Sequence, residues 1–427
     1  MLAHIGDLAA DPFAEVRDRQ LADRQRLEHA QPFRVGKRAT DRGIARSFGF
    51  GGDRELIQHP QHHINACANT QVWGQARESR AILARMPHPA DHIVPLDEIL
   101  AARERIAGRF HRTALLSSET AGRWTTAATG ARPRDGRLLL KAEHLQKTGS
   151  FKARGMANRI MTLPDDARSR GAITLSAGNA GQAYAWAGRT AGVPITVVMP
   201  NAAVPSKVEA CLGYGARVIL HGSNIGEALA EMERLRETEG LEFVSPFDDP
   251  AVIAGHGSIG LELLEDMPDL DVLVVGVGGG GLISGIAAAV KERRPAVRVY
   301  GVEPERSNVM SLALERNEIV RIQPESVADG LNAPFAGTWT LAMCRRYLDD
   351  IVLVDDSTIL AGMRFAVERL KQVIEPAGAA ALAALLAGRI PIRDDECVAV
   401  VLSGGNVDVG RLGVLLEGAG TLPGAAA

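Results

Sequence analysis

The chain has 427 residues, of which 46% are hydrophobic and 23% charged, and its formal net charge at pH 7 is −3. This length and balance predict a soluble globular protein with more than one domain and a sizeable core. The chain has no excess of positive charge, so its charge does not predict binding to nucleic acid or to an anionic membrane surface.

The cysteines and the apolar runs further limit the class of protein and the compartment in which it is expected. The four cysteines are Cys67, Cys211, Cys344 and Cys397, and none forms a CxxC-type pair. This spacing argues against a disulfide framework or a structural zinc site and favours a reducing cytoplasm. The N-terminus lacks the pattern of a secretory signal peptide. Apolar runs such as Asp271–Val277 are too short to span a membrane and predict buried strands.

Residues 1–92 are polar and irregular, with neither repeats nor clear periodicity. Histidines cluster at His59–His63, but no helical i, i+4 pair with a supporting carboxylate accompanies them, so a metal site is not favoured there. We expect this segment to be an irregular extension, either disordered or a wrongly assigned start of the chain.

The sequence becomes regular from about Val94, and an amphipathic helix is predicted over Leu96–Arg109. Short apolar strands then alternate with helical stretches, which predicts an α/β fold with mostly parallel sheets. The predicted strands are Leu138–Ala142, Ala172–Ser176, Ile195–Met199, Arg217–Leu220, Asp271–Val277, Arg298–Val302 and Cys397–Leu402. The predicted helices between them are Asn179–Ala191, Ser206–Gly213, Ile225–Glu239 and Leu282–Arg294. The strands form two α/β regions, and polar, glycine-rich loops follow their ends, where open α/β sheets bind ligands.

The first of these loops contains Lys152, in the run Ser150-Phe151-Lys152-Ala153-Arg154-Gly155. An isolated lysine at a helix start is usually a surface residue. Here, however, it follows a Gly-Ser turn and a phenylalanine, between strong strand and helix patterns. A lysine in an apolar pocket has a lowered pKa and can act as an amine nucleophile and base.

The second loop, Ser176-Ala177-Gly178-Asn179, directly follows a predicted strand. Taken alone it is an ordinary strand-to-helix turn with a polar N-cap. Its functional interpretation is an anion cradle, in which backbone N–H groups hold a substrate carboxylate and Asn179 bonds a phenolate oxygen.

The third loop contains four consecutive glycines, Gly278, Gly279, Gly280 and Gly281, followed by Leu282. Glycines let the backbone approach an anion closely, and the dipole of the following helix favours a phosphate. The run is neither GxGxxG with a downstream acid nor GxxxxGK[ST], so a simple phosphate ester fits better than a dinucleotide or a nucleoside triphosphate. A merely tight turn would not need so many glycines, whose ordering costs entropy.

The fourth loop, Ser403-Gly404-Gly405-Asn406, ends the last predicted strand, and its serine hydroxyl could face a ring nitrogen. Alone this motif is weak. Together the four loops resemble the fold-type II pyridoxal phosphate enzymes, within the threonine/serine dehydratase and serine racemase group. The matching segments, over about residues 94 to 415, are KTGSFKARG, SAGN, PFDDPAVIAGHGSIGLE, VGVGGGGLISG, GVEPE, ADGL, EPAGAAALAALLAG and LSGGN.

This resemblance implies a tryptophan synthase β-like fold, with two open, mostly parallel α/β domains and the active site between them. We therefore expect a large cofactor-binding domain from residues 93–170 and 249–427, and a small domain from residues 171–248. A homodimer is also implied, as is an amino-acid substrate. No membrane or nucleic-acid partner is expected.

The resemblance also implies a role for each motif residue. Lys152 carries pyridoxal 5'-phosphate as a Schiff base, and Phe151 packs near its pyridine ring. Asn179 bonds the ring oxygen and Ser403 faces the ring nitrogen. The cofactor-binding residues are thus expected to be Phe151, Lys152, Asn179, Gly278, Gly279, Gly280, Gly281, Leu282 and Ser403. The substrate-binding residues are expected to be Ser176, Ala177, Gly178 and Asn179.

The expected activity is that of an ammonia-lyase. Lys152 removes the α-proton of L-threonine or L-serine, the β-hydroxyl leaves, and the product hydrolyses to a 2-oxo acid and ammonia. Serine racemases resemble this chain but have a second serine where Ala177 stands, so little racemase activity is expected. Position 180 is Ala where many relatives have His, and His256 stands where many have Gln. We expect a buried, hydrogen-bonded structural role for His256.

Some relatives bind a divalent cation through a glutamate matching Glu303 and an aspartate six residues later. Here the later residue is Val309, so no metal site is expected. Alternative functions are a dehydratase of another β-hydroxy amino acid, such as 3-hydroxyaspartate or a hydroxyectoine-derived compound, and a serine racemase. A silent pyridoxal phosphate carrier or regulator and a nucleotide-binding protein are further alternatives. The intact motifs argue against the carrier, and the missing ribose-binding acid argues against the nucleotide-binding protein.

Overall fold

Alternating apolar strands and helices build two sheets, which a computed structural model describes over residues 92–422. The strands are β1 (Leu115–Ser118), β2 (Leu138–Lys141), β3 (Ala172–Leu175), β4 (Ile195–Met199), β5 (Arg217–Leu220), β6 (Glu242–Phe243), β7 (Val272–Gly276), β8 (Arg298–Pro304), β9 (Asp350–Val354) and β10 (Val398–Val401). The irregular extension expected before residue 92 lies outside the described residues.

The helices connect these strands and cover both faces of the sheets. They are α1 (Leu96–Ile106), α2 (Glu119–Thr129), α3 (Lys152–Met161), α4 (Asp165–Arg170), α5 (Asn179–Ala191), α6 (Pro205–Gly213), α7 (Ile225–Glu239), α8 (Pro250–Asp266), α9 (Gly281–Arg293), α10 (Val309–Arg316), α11 (Thr338–Tyr347), α12 (Asp356–Phe365), α13 (Pro376–Leu386) and α14 (Val409–Glu417). No described helix has the length and apolar character needed to cross a lipid bilayer.

The larger sheet has the strand order β1-β2-β10-β7-β8-β9. Only the β1–β2 pair is antiparallel within it, and the other neighbours run parallel. The smaller sheet has the order β5-β4-β3-β6 and is parallel throughout. The predicted α/β fold with mostly parallel sheets is therefore confirmed.

The central strands are apolar along their whole length because helices cover both of their faces. Along β7, Leu273 and Val275 pack into the cluster that contains Ile253 of α8 and Ile286 of α9. Their neighbour Val274 belongs to the opposite cluster, which contains residues of α12 and α13. This alternation follows from the two-residue period of a strand, and it fixes the sheet between two helical layers.

The smaller sheet has its own cores. Val197 of β4 packs with Met156 and Ile160 of α3 on one face, and Ile173 of β3 packs with Met232 of α7 on the other. Helix α3 therefore contributes to the core of the smaller sheet, although its sequence precedes the predicted boundary at residue 171. The predicted division into domains remains a prediction.

Candidate active site

One cavity of about 850 Å³ lies where loops from both sheets meet. The loops that follow β3, β7 and β10 contribute to its wall, together with the start of α3. Strands β2, β10 and β7 run parallel, so their carboxyl ends share one edge of the larger sheet. Every residue predicted from the motifs lines this cavity: Phe151, Lys152, Ser176, Ala177, Gly178, Asn179, Gly278, Gly279, Gly280, Gly281, Leu282 and Ser403.

Lys152 is the first residue of α3, and its amine points into the protein. Its Nζ donates a hydrogen bond to the carbonyl oxygen of Pro246 at 2.6 Å and lies 5.1 Å from the centroid of the Phe151 ring. Burial lowers the pKa of Lys152 to about 8, because the protein solvates the ammonium poorly. More of this amine is therefore unprotonated near neutral pH than in an exposed lysine, and a base has to be unprotonated to accept a proton.

A buried charge network holds the start of α3 in place. The guanidinium of Arg154 bonds Glu143 at 2.8 Å and Glu262 of α8 at 2.6 Å. Lys141 of β2 donates to the same Glu262 at 2.7 Å, and Thr113 donates to Glu143. This network was not predicted from the sequence, because its members are spread over residues 113 to 262.

His256 lies directly behind Phe151. The two rings meet edge to face with their centroids 4.8 Å apart, and His256 is fully buried. Burial first, and then the nearby charges of Lys152 and Arg154, hold the pKa of His256 well below its usual value, so the ring is neutral. The expected hydrogen bond is missing, because neither ring nitrogen has a partner among residues 92–422.

The loop after β3 turns sharply into α5. Ser176 Oγ accepts hydrogen bonds from the N–H groups of Gly178 at 3.3 Å and Gly181 at 3.1 Å, which closes the turn. Asn179 begins α5, and its Nδ2 donates to Glu375 Oε1 at 2.6 Å. The sequence analysis did not identify Glu375, which precedes Pro376 in the EPAG run and is 3% exposed.

The glycine loop lacks space for side chains. A Cβ atom at Gly279 would lie 2.5 Å from the Phe247 ring. Gly280 has a φ of +87°, which favours glycine, and a Cβ atom there would lie 2.6 Å from Met310. The N–H groups of Gly279, Gly280 and Gly281 have no acceptor within the described part of the chain. They precede α9, so the loop offers a set of free donors at a helix N-terminus.

Ser403 connects the last strand to the lysine loop. Its carbonyl oxygen accepts from the N–H of Phe151 at 3.1 Å. Its hydroxyl makes only a long hydrogen bond to the Ala377 carbonyl oxygen, at 3.5 Å, so it retains capacity for a ligand in the cavity.

Charged groups at the cavity wall differ in how they are paired. Lys207 of α6 donates to Asp329 at 2.8 Å, and Arg411 bonds the same carboxylate at 3.0 Å. Arg321 stacks on the Phe335 ring, with 5.2 Å from its guanidinium carbon to the ring centroid. Across residues 92–422 it makes no ion pair. Arg321 is thus an exposed cation at the wall of the cavity.

The carboxylate of Glu303 is bonded to the backbone at the start of α10. Its two carboxylate oxygens accept the N–H groups of Met310 at 2.8 Å and Ser311 at 2.9 Å, at the start of α10. Burial raises the pKa of Glu303 to about 7. No cluster of metal-binding side chains occurs in the described ranges.

Comparisons with known proteins agree with this geometry. A family model described as pyridoxal-phosphate dependent enzyme matches residues 123–404. The L-threonine ammonia-lyase of Thermotoga maritima is 41% identical over 321 residues, which cover 75% of this chain and 77% of that protein. Maize serine racemase superposes with a TM-score of 0.69 at 34% identity, covering 76% of this chain and 97% of its own. A threonine deaminase from Solanum lycopersicum, in its processed form, superposes with a TM-score of 0.69 at 31% identity, covering 76% and 87%.

Proposed function

Because this chain belongs to the family of pyridoxal-phosphate dependent enzymes, we propose that it is an ammonia-lyase acting on L-threonine, L-serine or both. The sequence-based predictions of the family, of the cofactor and of the lyase class are confirmed by these relatives. The observation that carries the proposed reaction is a buried lysine with a lowered pKa in the same cavity as the SAGN, glycine and SGGN loops, and the relatives support L-threonine as a substrate.

The residues of the cavity fit the chemistry of pyridoxal phosphate. The unused N–H groups of the glycine loop suit a phosphate, and no Cβ blocks its approach. Asn179 would bond the ring oxygen, Ser403 the ring nitrogen, and Lys152 the aldehyde carbon. When bound, the cofactor supplies an electron-withdrawing ring that delocalises the charge left by removal of the α-proton.

Lys152 is the proposed base that moves the α-proton. Its burial keeps part of the amine neutral, and the Pro246 carbonyl oxygen holds Nζ inside the cavity. The N–H groups of Ala177 and Asn179 have no acceptor among the residues described, so they are available to a substrate carboxylate. The substrate is thereby oriented at the start of α5 while Lys152 acts at its α-carbon.

Ala177 supports elimination over racemisation. Racemisation needs a second group that returns a proton to the other face of the α-carbon, and a methyl group cannot do this. Position 177 lines the cavity, so a missing hydroxyl there leaves Lys152 as the proposed proton carrier. We therefore expect the pure protein to form far more 2-oxo acid than D-serine from L-serine.

Two measurements test the proposal. The purified protein should absorb visible light through its lysine-bound cofactor, and Lys152→Ala should lose this band. With L-threonine and L-serine, Lys152→Ala should form 2-oxo acid at least about a hundredfold more slowly, since a positioned base contributes on this scale. Glu209→Ala, at an exposed position of α6, is the control. Fast formation of D-serine, or no 2-oxo acid from either substrate, would contradict the proposal.

A second candidate is a dehydratase of an acidic β-hydroxy amino acid such as 3-hydroxyaspartate. The observation that favours it is Arg321, a cation at the cavity wall without a carboxylate partner in residues 92–422. If this function holds, 3-hydroxyaspartate should be converted faster than L-threonine, and Arg321→Gln should reverse the preference.

The family resemblance further supports a homodimer and a division into two domains at about residues 171 and 249, and the spacing of the cysteines supports a location in the cytoplasm. The separate cores of the two sheets support two domains, although Met156 and Ile160 of α3 pack into the core of the smaller sheet from before residue 171. Sedimentation equilibrium of the full chain measures the oligomeric state, and a monomer at all concentrations would contradict the homodimer.

A further inference from the structure

We propose that Glu375 is a positioning residue for the cofactor, because it determines which end of the Asn179 carboxamide faces the ring oxygen. This role rests on cofactor binding and on the proposed contact of Asn179. It does not depend on which substrate the enzyme converts.

The hydrogen bonds around Asn179 leave its amide one orientation. Its Oδ1 accepts from Gln182 Nε2 at 3.1 Å and from Asn406 Nδ2 at 2.9 Å, and its Nδ2 donates to Glu375. Asn406 is itself fixed, because its Nδ2 also donates to the carbonyl oxygen of Thr148 at 2.8 Å. A flipped Asn179 would place its oxygen against the Glu375 carboxylate and its NH₂ group against two other donors.

This arrangement determines what Asn179 can offer to a ligand. Both acceptor sites of its Oδ1 are occupied, and one hydrogen of its Nδ2 is used by Glu375. The second hydrogen of Nδ2 can still be donated in a hydrogen bond to a ligand. It suits an anionic ring oxygen, which accepts and does not donate. Glu375 therefore acts through Asn179 and has no need to touch the ring.

Backbone contacts and a neighbouring glycine position Glu375 to bond Asn179. It immediately precedes α13, yet its side chain does not cap that helix. Its N–H donates to the carbonyl oxygen of Gly404 at 3.1 Å, in the loop that follows β10. A Cβ atom at Gly404 would lie 2.3 Å from Glu375 Oε1, so a glycine there leaves room for the carboxyl group. The carboxyl is thereby directed toward Asn179.

The carboxyl group is not neutralised by an ion pair of its own. Its Oε2 is buried and has no partner among the residues described, although the side chain lines the cavity. Three charged groups surround it: Asp329 from the turn before α11, Lys207 from α6 and Arg411 from α14. Lys207 and Arg411 already bond Asp329.

These surroundings raise the pKa of the carboxyl group toward neutral pH. Burial first, and then the charge of Asp329, raise the pKa of Glu375 to about 7, against the opposing effects of Lys207, Asn179 and Arg411. Ionisation of Glu375 adds a negative charge one side chain away from the ring oxygen. The absorption spectrum of the lysine-bound cofactor should respond to it, because the ring oxygen belongs to the chromophore.

The test uses full-length holoenzyme and the variants Glu375→Gln and Glu375→Ala, with spectra recorded from about pH 5.5 to 9, on either side of the Glu375 pKa. The wild type should show a spectral transition with a midpoint near pH 7. Glu375→Gln should lack this transition but release the cofactor within about threefold of the wild-type rate, because its amide oxygen still accepts from Asn179. Glu375→Ala should release the cofactor at least about tenfold faster, since Asn179 loses a charged partner.

Glu368→Gln is the matched control, because Glu368 pairs with Arg364 on the surface and is 48% exposed. It should keep the wild-type transition. A transition that persists in Glu375→Gln, or a wild-type spectrum that stays constant on both sides of pH 7, overturns the proposal. If Glu375→Ala fails to fold, the spectra of Glu375→Gln still test the proposal. If the transition vanishes as expected but no substrate yields a 2-oxo acid, the inference stands and the proposed lyase reaction fails.

Discussion

At the scale of single residues, the reactive amine of Lys152 lies where burial disfavours its charged form. Its Nζ has a carbonyl oxygen as partner and forms no ion pair in the described part of the chain. Burial lowers its pKa to about 8, so the folded protein binds this proton more weakly than the unfolded chain does. The same feature that makes Lys152 a base therefore reduces the stability of the cofactor-free fold.

The cost of burying Lys152 can be measured with Lys152→Met, which keeps the length of the side chain and removes the charge. The penalty is fully present below pH 8 and disappears as pH rises toward the unfolded value of 10.5. We expect Lys152→Met to stabilise cofactor-free protein by about 1–3 kcal/mol at about pH 7, and by much less at about pH 10. Urea unfolding at both pH values measures this difference.

Lys147→Met, five residues earlier, is the control for a general effect of removing a lysine. Its side chain forms no ion pair among residues 92–422, so little change is expected at either pH. Equal stabilities of wild type and Lys152→Met near neutral pH would show that the buried amine carries no penalty.

The residues of the candidate site were predictable where they belong to short motifs, and not where they depend on distant pairs. Lys152, Asn179 and Ser403 each stand in a recognisable loop after a strand. Glu375 becomes significant only through Asn179, which is 196 positions away in sequence. No local pattern indicates that bond, because it depends on how the two sheets approach each other.

At the scale of elements, helices and strands with clear periodicity were predicted well. Helices α5 and α7 and strands β4 and β5 have the bounds that the sequence indicates. Strands β1, β6 and β9 were missed, and each lies at the edge of a sheet. Strand β6 has two residues, and β9 stays half-buried or exposed over residues 350–353. Strand β6 is too short to show an apolar pattern, whereas the apolar run of β9 over residues 351–354 was a signal in the sequence that was not used.

The network behind α3 provides a prediction at this scale. Arg154→Met would leave Glu143 without its cation and weaken the pairing of Glu262, both inside the protein. Removing one partner of a buried pair is costly, so we expect a loss of about 3–5 kcal/mol in the free energy of unfolding. Urea unfolding of the cofactor-free protein measures it.

Arg236→Met is the contrasting variant, because Arg236 pairs with Glu233 on the surface of α7 and the two side chains are 47% and 41% exposed. Its loss should be much smaller, since water solvates both charges once the pair is broken. If both variants lose the same stability, the buried network does not hold α3 as proposed.

At the scale of the whole molecule, the site exists only when both sheets have formed. The glycine loop and Ser403 follow strands of the larger sheet, whereas the Ser176–Asn179 loop follows a strand of the smaller one. The chain order of these motifs was readable from the sequence, and parallel strands place their carboxyl ends at one edge. The cavity volume and the charges behind its wall were not readable, because they depend on packing between elements distant in sequence.

Folding buries ionisable groups at the cavity and behind it, and the stability of the whole fold should therefore depend on pH. Burial raises the pKa values of Glu303 and Glu375 to about 7 each. The folded protein binds these protons more tightly than the unfolded chain, whose carboxyls titrate near 4.5. Their contribution is greatest below pH 4.5 and is lost as pH rises through 7.

We expect the contribution of these two carboxyls to fall between about pH 5 and 7.5 by about 1–3 kcal/mol per carboxyl at most. It is measured as the free energy of unfolding of the cofactor-free wild type minus that of the double variant Glu303→Gln, Glu375→Gln. In the double variant the slope of this free energy against pH should be flatter, because an amide resembles the protonated carboxyl at every pH. Exposed Glu325→Gln should keep the wild-type slope. Urea unfolding at intervals of half a pH unit measures all three proteins. If the free energy of unfolding of the double variant changes with pH as steeply as that of the wild type, other groups cause the pH dependence. Burial of Glu303 and Glu375 would then not explain it.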